Sequence, residues 1–205
     1  MNEITKRSIS GILYVLIMML GICYSENSRI VLFSIITLIC SVEMFYLTKN
    51  KGIKSIFYII YVFGIMLSLK IDYKCLLFIM ILTWIFDTFA YIFGKNIGKN
   101  KMFPKISPNK SWEGFIGGFI FTSIIGIIIV NYNLIENNIN IIILYIISII
   151  LPITATLGDF IESYIKRQAK KKDSGRLIPG HGGLLDRMDA FMISIPFFYI
   201  LNNII

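Results

Sequence analysis

Unbroken apolar runs, separated by short polar breaks, divide the chain into seven stretches at roughly 8–24, 29–48, 53–69, 74–93, 113–131, 139–165 and 189–205. The runs do not alternate, so they read as helices surrounded by lipid or by other helices. A bilayer core of about 30 Å takes roughly 20 mostly apolar residues per helix. Open strands cannot cross it, because their backbone groups would go unpaired. The predicted fold class is all-α, a polytopic integral membrane helical bundle with about seven transmembrane helices. The third and seventh stretches are the shortest. The sixth is long, ends in polar turns that project beyond the membrane, and carries Pro152, which predicts a kink.

The polar breaks set the orientation. With the N-terminus in the cytoplasm, every Lys and Arg except Arg29, Lys70 and Lys74 falls on the cytoplasmic side. Such a bias matches the excess of basic residues in cytoplasmic loops and puts the C-terminus outside. Lys6 and Arg7 before the first run resemble a signal peptide, but no small-residue cleavage site follows, which predicts a retained signal anchor. No repeat or linker divides the chain. It reads as one membrane-embedded domain over 1–205, with N-terminal spans in 1–73 and a catalytic core from about 74 to 205. Two breaks, about 94–112 and 166–188, are long enough to carry chemistry.

Composition narrows the class. Of 205 residues, 56% are apolar and only 16% charged, against about 25% charged in soluble domains. The net charge of +8 fits cytoplasmic loops facing anionic lipid better than a nucleic-acid surface. Cys23, Cys40 and Cys75 lie in or beside apolar runs without CxxC spacing, which suits packing, not metal or disulfide chemistry.

Acids near lipid are costly and need a reason. Glu43, Asp87 in "WIFDTFAY", Asp159 and Glu162 in "LGDFIESYIKR", and Asp186 and Asp189 at the start of the last run all fall at one membrane level, beside the two basic breaks. Asp159, Glu162, Ser163 and Lys166 share one helical face. Single acids at helix ends commonly pair with lysines or snorkel. Together, these carboxylates and the nearby cations suit a site for a divalent cation and phosphates, since Mg²⁺ takes carboxylate oxygens plus substrate phosphate. In the second polar break, Gly175, Gly180, Gly182 and Gly183 allow close backbone approach to an anion. Lys171, Lys172, Arg176 and Arg187 add positive charge. His181, between glycines, is either a hydrogen-bonded loop residue or part of the site. In the first break, "SPNKSWEG" places Ser107 and Lys110 ahead of Glu113, with Ser111 or Asn109 as N-cap. Gly114, Gly117 and Gly118 read as helix-packing positions.

The stretch "SYIKRQAKKKDSGRLIPGHGGLLDRMD", from Ser163 to Asp189, closely resembles the signature of phosphatidate cytidylyltransferases, the CDP-diacylglycerol synthases. That signature runs Ser, Lys-Arg, Lys-Asp, Pro-x-His-Gly-Gly and Asp-Arg-x-Asp. "DTFAY", "GKNIGKN" and "SPNKSWEG" also look like elements of that family, so the resemblance covers about 85–190. Members are commonly longer at the N-terminus.

The resemblance implies a reaction of CTP with phosphatidate that gives CDP-diacylglycerol and pyrophosphate. It implies a Mg²⁺ centre at Asp159 and Asp186, with Asp173 or Asp189 as auxiliaries and a K⁺ ion linked to the same place. Lys166, Arg167, Lys172 and Arg187 are expected to bind phosphates, and Gly180, His181, Gly182 and Gly183 to line the phosphate cradle. Ser107, Lys110, Glu113, Asp87 and Ser163 complete the substrate-binding set. The lipid phosphate is already ionised at neutral pH, which argues against His181 as an essential base. The expected partners are CTP, phosphatidate and membrane lipids, with no nucleic acid and with a homodimer as an assembly to test. The expected location is a bacterial-type inner membrane, with the active site facing the cytoplasm. Other readings are a CTP-dependent polyprenol or dolichol kinase-like enzyme, an isoprenoid-phosphate cytidylyltransferase, and a non-enzymatic transporter or structural subunit.

Overall fold

In the computed structural model, the described residues are 3–48, 70–134, 139–180 and 182–204. The first two helices, α1 (Glu3–Cys23) and α2 (Glu26–Thr48), are joined by a tight turn. There the Ser28 N–H donates to the Ser25 hydroxyl and the Ser25 N–H to the Ser28 hydroxyl, both at 3.0 Å. This reciprocal cap satisfies two donors at the start of α2.

The Asp72 side chain caps α3 (Tyr73–Ile97) by accepting from the Lys74 N–H at 2.9 Å. Helix α4 (Trp112–Asn131) runs back along it. The two backbones approach closely because α4 presents glycines. A Cβ at Gly114 would meet the Ala90 carbonyl, one at Gly117 the Phe93 side chain, and one at Gly118 the Phe86 ring. The packing role expected for these glycines is therefore observed. The rings of Phe89 and Phe121 stack at 4.2 Å beside the same seam. The other face of α4 is exposed at Ile116, Ile120, Ile124 and Ile128, a stripe suited to lipid.

Helix α5 (Ile141–Gln168) continues through Pro152. A four-residue helix, α6 (Leu185–Met188), precedes α7 (Phe191–Ile204). A buried hydroxyl pair, Thr154 with Ser194 at 2.9 Å, ties α5 to α7. The core gathers Phe33 and Met44 of α2, Phe78 and Leu82 of α3, Ile147 of α5, Leu185 of α6 and Phe198 of α7.

The first polar break is not an irregular loop. Strands β1 (Lys101–Phe103) and β2 (Ser107–Ser111) form an antiparallel hairpin in the register Lys101↔Ser111 and Phe103↔Ser107. These strands are too short for a periodicity to mark them. Ser111 is the N-cap of α4 and accepts from the Gly114 N–H at 3.2 Å.

The fold is that of an all-α membrane helical protein with one small hairpin. Four described helices, α2 to α5, are long and apolar enough to cross a membrane, where seven spans were expected. In α1 the apolar part is the shorter segment Ile9–Cys23. With 14 residues, α7 reaches only about 21 Å at 1.5 Å per residue. It begins two residues later than expected because α6 takes up the preceding turn. The stretch 53–69 lies outside the described residues.

Candidate active site

Three elements meet at the C-terminal end of α5: the hairpin, the glycine-rich segment 169–184, and α6 with the residues that follow it. Lys110 on β2 forms an ion pair with Asp159 on α5. Arg167 donates from Nε to the Ile106 carbonyl at 3.0 Å and from a terminal nitrogen to the Lys171 carbonyl at 3.1 Å. It thereby joins the hairpin turn to the glycine-rich segment. Glu113 faces away from this centre. Its carboxylate accepts from the Asn100 backbone and side-chain amides, the latter at 2.8 Å, and so fastens the base of the hairpin.

The helical face expected from spacing is present on α5. The Ser163 hydroxyl donates to Asp159 Oδ1 at 3.1 Å, and Lys166 pairs with Glu162 one turn earlier. Lys166 also reaches Asp186 Oδ1 at 2.7 Å. It is buried, with its ammonium between two carboxylates, instead of standing open to a phosphate. Asp186 further accepts from the Ser174 N–H at 3.0 Å and the Gly183 N–H at 2.8 Å. Burial pushes the Asp186 carboxyl up, but the side chains of Glu162 and Lys166 and the Gly183 N–H outweigh it and hold the group below the usual carboxylate range.

One oxygen each from Asp159, Glu162 and Asp189 lies within 4.8 Å of the others. Glu162 is fully buried, and neither of its oxygens has a well-angled hydrogen bond among the described residues. An all-oxygen donor set that includes a buried carboxylate, charge-paired with Lys166, suits a hard divalent cation. The expected main ligands were Asp159 and Asp186, with Asp189 as an auxiliary; the trio contains Asp159 and Asp189 but not Asp186. Sequence reasoning placed Glu162 on the right face and within the carboxylate cluster but did not name it as a metal ligand. Its spacing from Asp159 was the signal available. Asp186 is held next to the trio by Lys166, and Asp173 is exposed on the glycine-rich segment.

Two cavities share Asp87. One, of about 200 Å³, is lined by Phe86, Asp87, Asn109, Lys110, Phe115 and Thr156 among others. The second, of about 340 Å³, is lined by Tyr14, Trp84, Asp87, Asp186, Arg187 and Asp189 among others. Asp87 therefore sits between the hairpin side, with Lys110, and the α6 side, with Arg187, of the site.

The glycines serve the loop itself. Gly180 and Gly182 have φ of 76° and 83°, a region that side chains disfavour. A Cβ at Gly182 would run into the Asp186 carboxylate, and one at Gly183 into Ser174 and Glu43. The Gly183 N–H, expected to face a phosphate, donates to Asp186 instead. The Ile178 N–H bonds the Gly182 carbonyl at 2.9 Å and folds the segment back on itself. Lys172, Arg176 and Arg187 are exposed around it. Ser107 lies at the start of β2. His181 lies outside the described residues.

The family model described as "Cytidylyltransferase family" matches residues 55–205. Curated relatives named "Phosphatidate cytidylyltransferase" include that of Staphylococcus haemolyticus, 43% identical over 77% of this chain and 52% of the relative. That of Staphylococcus saprophyticus is 48% identical over 62% of this chain and 48% of the relative. That of Staphylococcus aureus is 41% identical over 77% of this chain and 52% of the relative. The chain spans about half the length of the curated relatives it matches.

Proposed function

The chain belongs to the cytidylyltransferase family, and from that premise we propose that it transfers the cytidylyl group of CTP to phosphatidate. A phosphate oxygen of phosphatidate attacks the α-phosphorus of CTP. The bond from that phosphorus to the oxygen bridging to the β-phosphorus breaks, and pyrophosphate leaves with the electron pair. The products are CDP-diacylglycerol and pyrophosphate. Such transfers depend on alignment and charge neutralisation more than on a protein nucleophile.

The observation that carries this reading is the pair of cavities that share Asp87 beside the carboxylate cluster. Two reactants can be held on either side of one charged centre. The residues that would hold Mg²⁺ are Asp159, Glu162 and Asp189, with Asp186 beside them across the Lys166 ammonium. When bound, the cation supplies charge neutralisation to phosphate oxygens. Lys110, Arg187, Lys172 and Arg176 supply positive charge toward the triphosphate and the lipid phosphate. Lys166 pairs with both Glu162 and Asp186 and orients them. Arg167 acts through structure, by holding the hairpin against the loop. The active site faces the cytoplasm, where CTP is available, and the acyl chains of phosphatidate remain in the lipid beside the second cavity.

The test is an assay of the purified protein with phosphatidate and CTP labelled at either the α- or the γ-phosphorus. Label from the α position should enter the lipid, and label from the γ position should leave as pyrophosphate. Chelation should stop the transfer and Mg²⁺ should restore it. Entry of γ-label into a lipid alcohol would replace this reading with the kinase-like one.

A further inference from the structure

Glu43 stands on α2, upstream of the matched region 55–205, and the reaction scheme above gives it no task. Its half-buried carboxylate nevertheless packs against the signature loop. Oε2 accepts from the Ser174 hydroxyl at 2.9 Å and from the Leu185 N–H at 2.8 Å, and Oε1 accepts from the Leu184 N–H at 3.2 Å. Two loop glycines leave room for it. A Cβ at Gly175 would land on the Glu43 carboxylate, with the next neighbour beyond Glu43 at ordinary contact distance, and a Cβ at Gly183 would land on Glu43 and Ser174.

Glu43 and Asp186 divide the donors at the base of the loop. Asp186 takes the backbone N–H groups of Ser174 and Gly183, and Glu43 takes the Ser174 hydroxyl and the next two N–H groups. Together they close the base of the loop at Ser174 and at 183–185, and Arg176 lies in the segment between. Helix α1 adds a contact at the tip, where the Ser10 hydroxyl donates to the Pro179 carbonyl at 2.9 Å.

We infer that Glu43 is a positioning residue: from a helix outside the matched region, it clamps the base of the signature loop and fixes how Asp186, Arg187 and the loop cations face the substrates. This inference rests on the proposed transfer for its effect on turnover, but not for its effect on the loop. Hydrogen bonds to a charged acceptor are the strong ones, and removing this one leaves buried N–H groups unpaired.

The test combines hydrogen exchange with turnover per folded molecule in Glu43→Ala, Glu43→Gln, Gly175→Ala and the double variant Glu43→Ala/Gly175→Ala. In Glu43→Ala, amides of the 174–185 segment should exchange about ten- to a hundredfold faster, with exchange in α3 to α5 unchanged. Turnover should fall by up to about a hundredfold, the scale of a misplaced binding group. Glu43→Gln keeps one acceptor oxygen and should fall between wild type and Glu43→Ala. If Glu43→Ala does not accumulate, Glu43→Gln alone carries the exchange measurement. Gly175→Ala should be harmful alone and add nothing once Glu43 is Ala. Unchanged loop exchange in the Glu43 variants overturns the clamp, even if turnover falls, because Glu43 would then act directly on substrate. A wild-type protein that fails to move α-label, together with a loosened loop in Glu43→Ala, overturns the proposed reaction and leaves the clamp standing.

Discussion

Lys166 shares its ammonium between Glu162 and Asp186, with only 11% of its side chain exposed. Removing one partner of a buried ion group leaves the others uncompensated and costs about 3–5 kcal/mol. Lys166→Met should therefore lower the unfolding temperature in detergent sharply, whereas Lys172→Met, at an exposed position, should leave it nearly unchanged. Asp159 has a different function. It is partly exposed and pairs with Lys110, so Asp159→Ala should leave the protein folded while turnover falls to background and stimulation by Mg²⁺ is lost. Near-normal turnover in that variant would remove the proposed cation centre. At Gly182, the positive φ and the adjacent Asp186 carboxylate both oppose a side chain. Gly182→Val should lower the yield of folded protein and the turnover together. This segment binds its own carboxylates closely, and its glycines are accounted for before any phosphate enters.

Among the elements, the hairpin depends on its two anchors. Ser111 caps α4, and Glu113 ties the start of that helix to Asn100. Ser111→Ala should cost about 1 kcal/mol, read as a small fall in unfolding temperature with little change in the affinity for CTP. The α3–α4 seam is less tolerant. Gly117 meets the Phe93 ring directly, so a larger side chain there must push the helices apart. Since α3 carries Asp87 and α4 follows the strand with Lys110, Gly117→Leu should reduce turnover as well as stability. An assay per folded molecule would separate the two effects.

In the whole molecule, the hairpin and the glycine-rich loop lie at the same end of the bundle, held together by Arg167 and by the Lys110–Asp159 pair. Basic residues concentrate in these two segments, which predicts that this end faces the cytoplasm. In a background without the native cysteines, cysteines placed at Lys99 and Arg176 should react with an impermeant reagent from the cytoplasmic side. One at Tyr132, the C-cap of α4, should react from the other side. Labelling of position 132 from the cytoplasmic side would reverse the orientation.

The sequence by itself determined the membrane class and the mainly helical architecture, and it predicted the end of the bundle at which acids and cations gather. Those properties follow from run length, the cost of charge in lipid and the bias of basic residues, all of which are local. It also determined the face shared by Asp159, Glu162, Ser163 and Lys166, because helical spacing fixes neighbours one turn apart. Only the tertiary structure decided partners across elements. Lys166 reads as a phosphate ligand until Asp186, 20 residues away, is placed against it. The Gly183 N–H reads as a phosphate donor until Asp186 takes it. Glu43 reads as one more acid of the cation cluster until α2 is packed under the loop, 131 residues from Ser174. The hairpin went unseen because strands of three and five residues are too short to show a hydrophobic period. Spacing specifies which residues share a helical face, but which donor meets which acceptor between elements depends on how those elements pack.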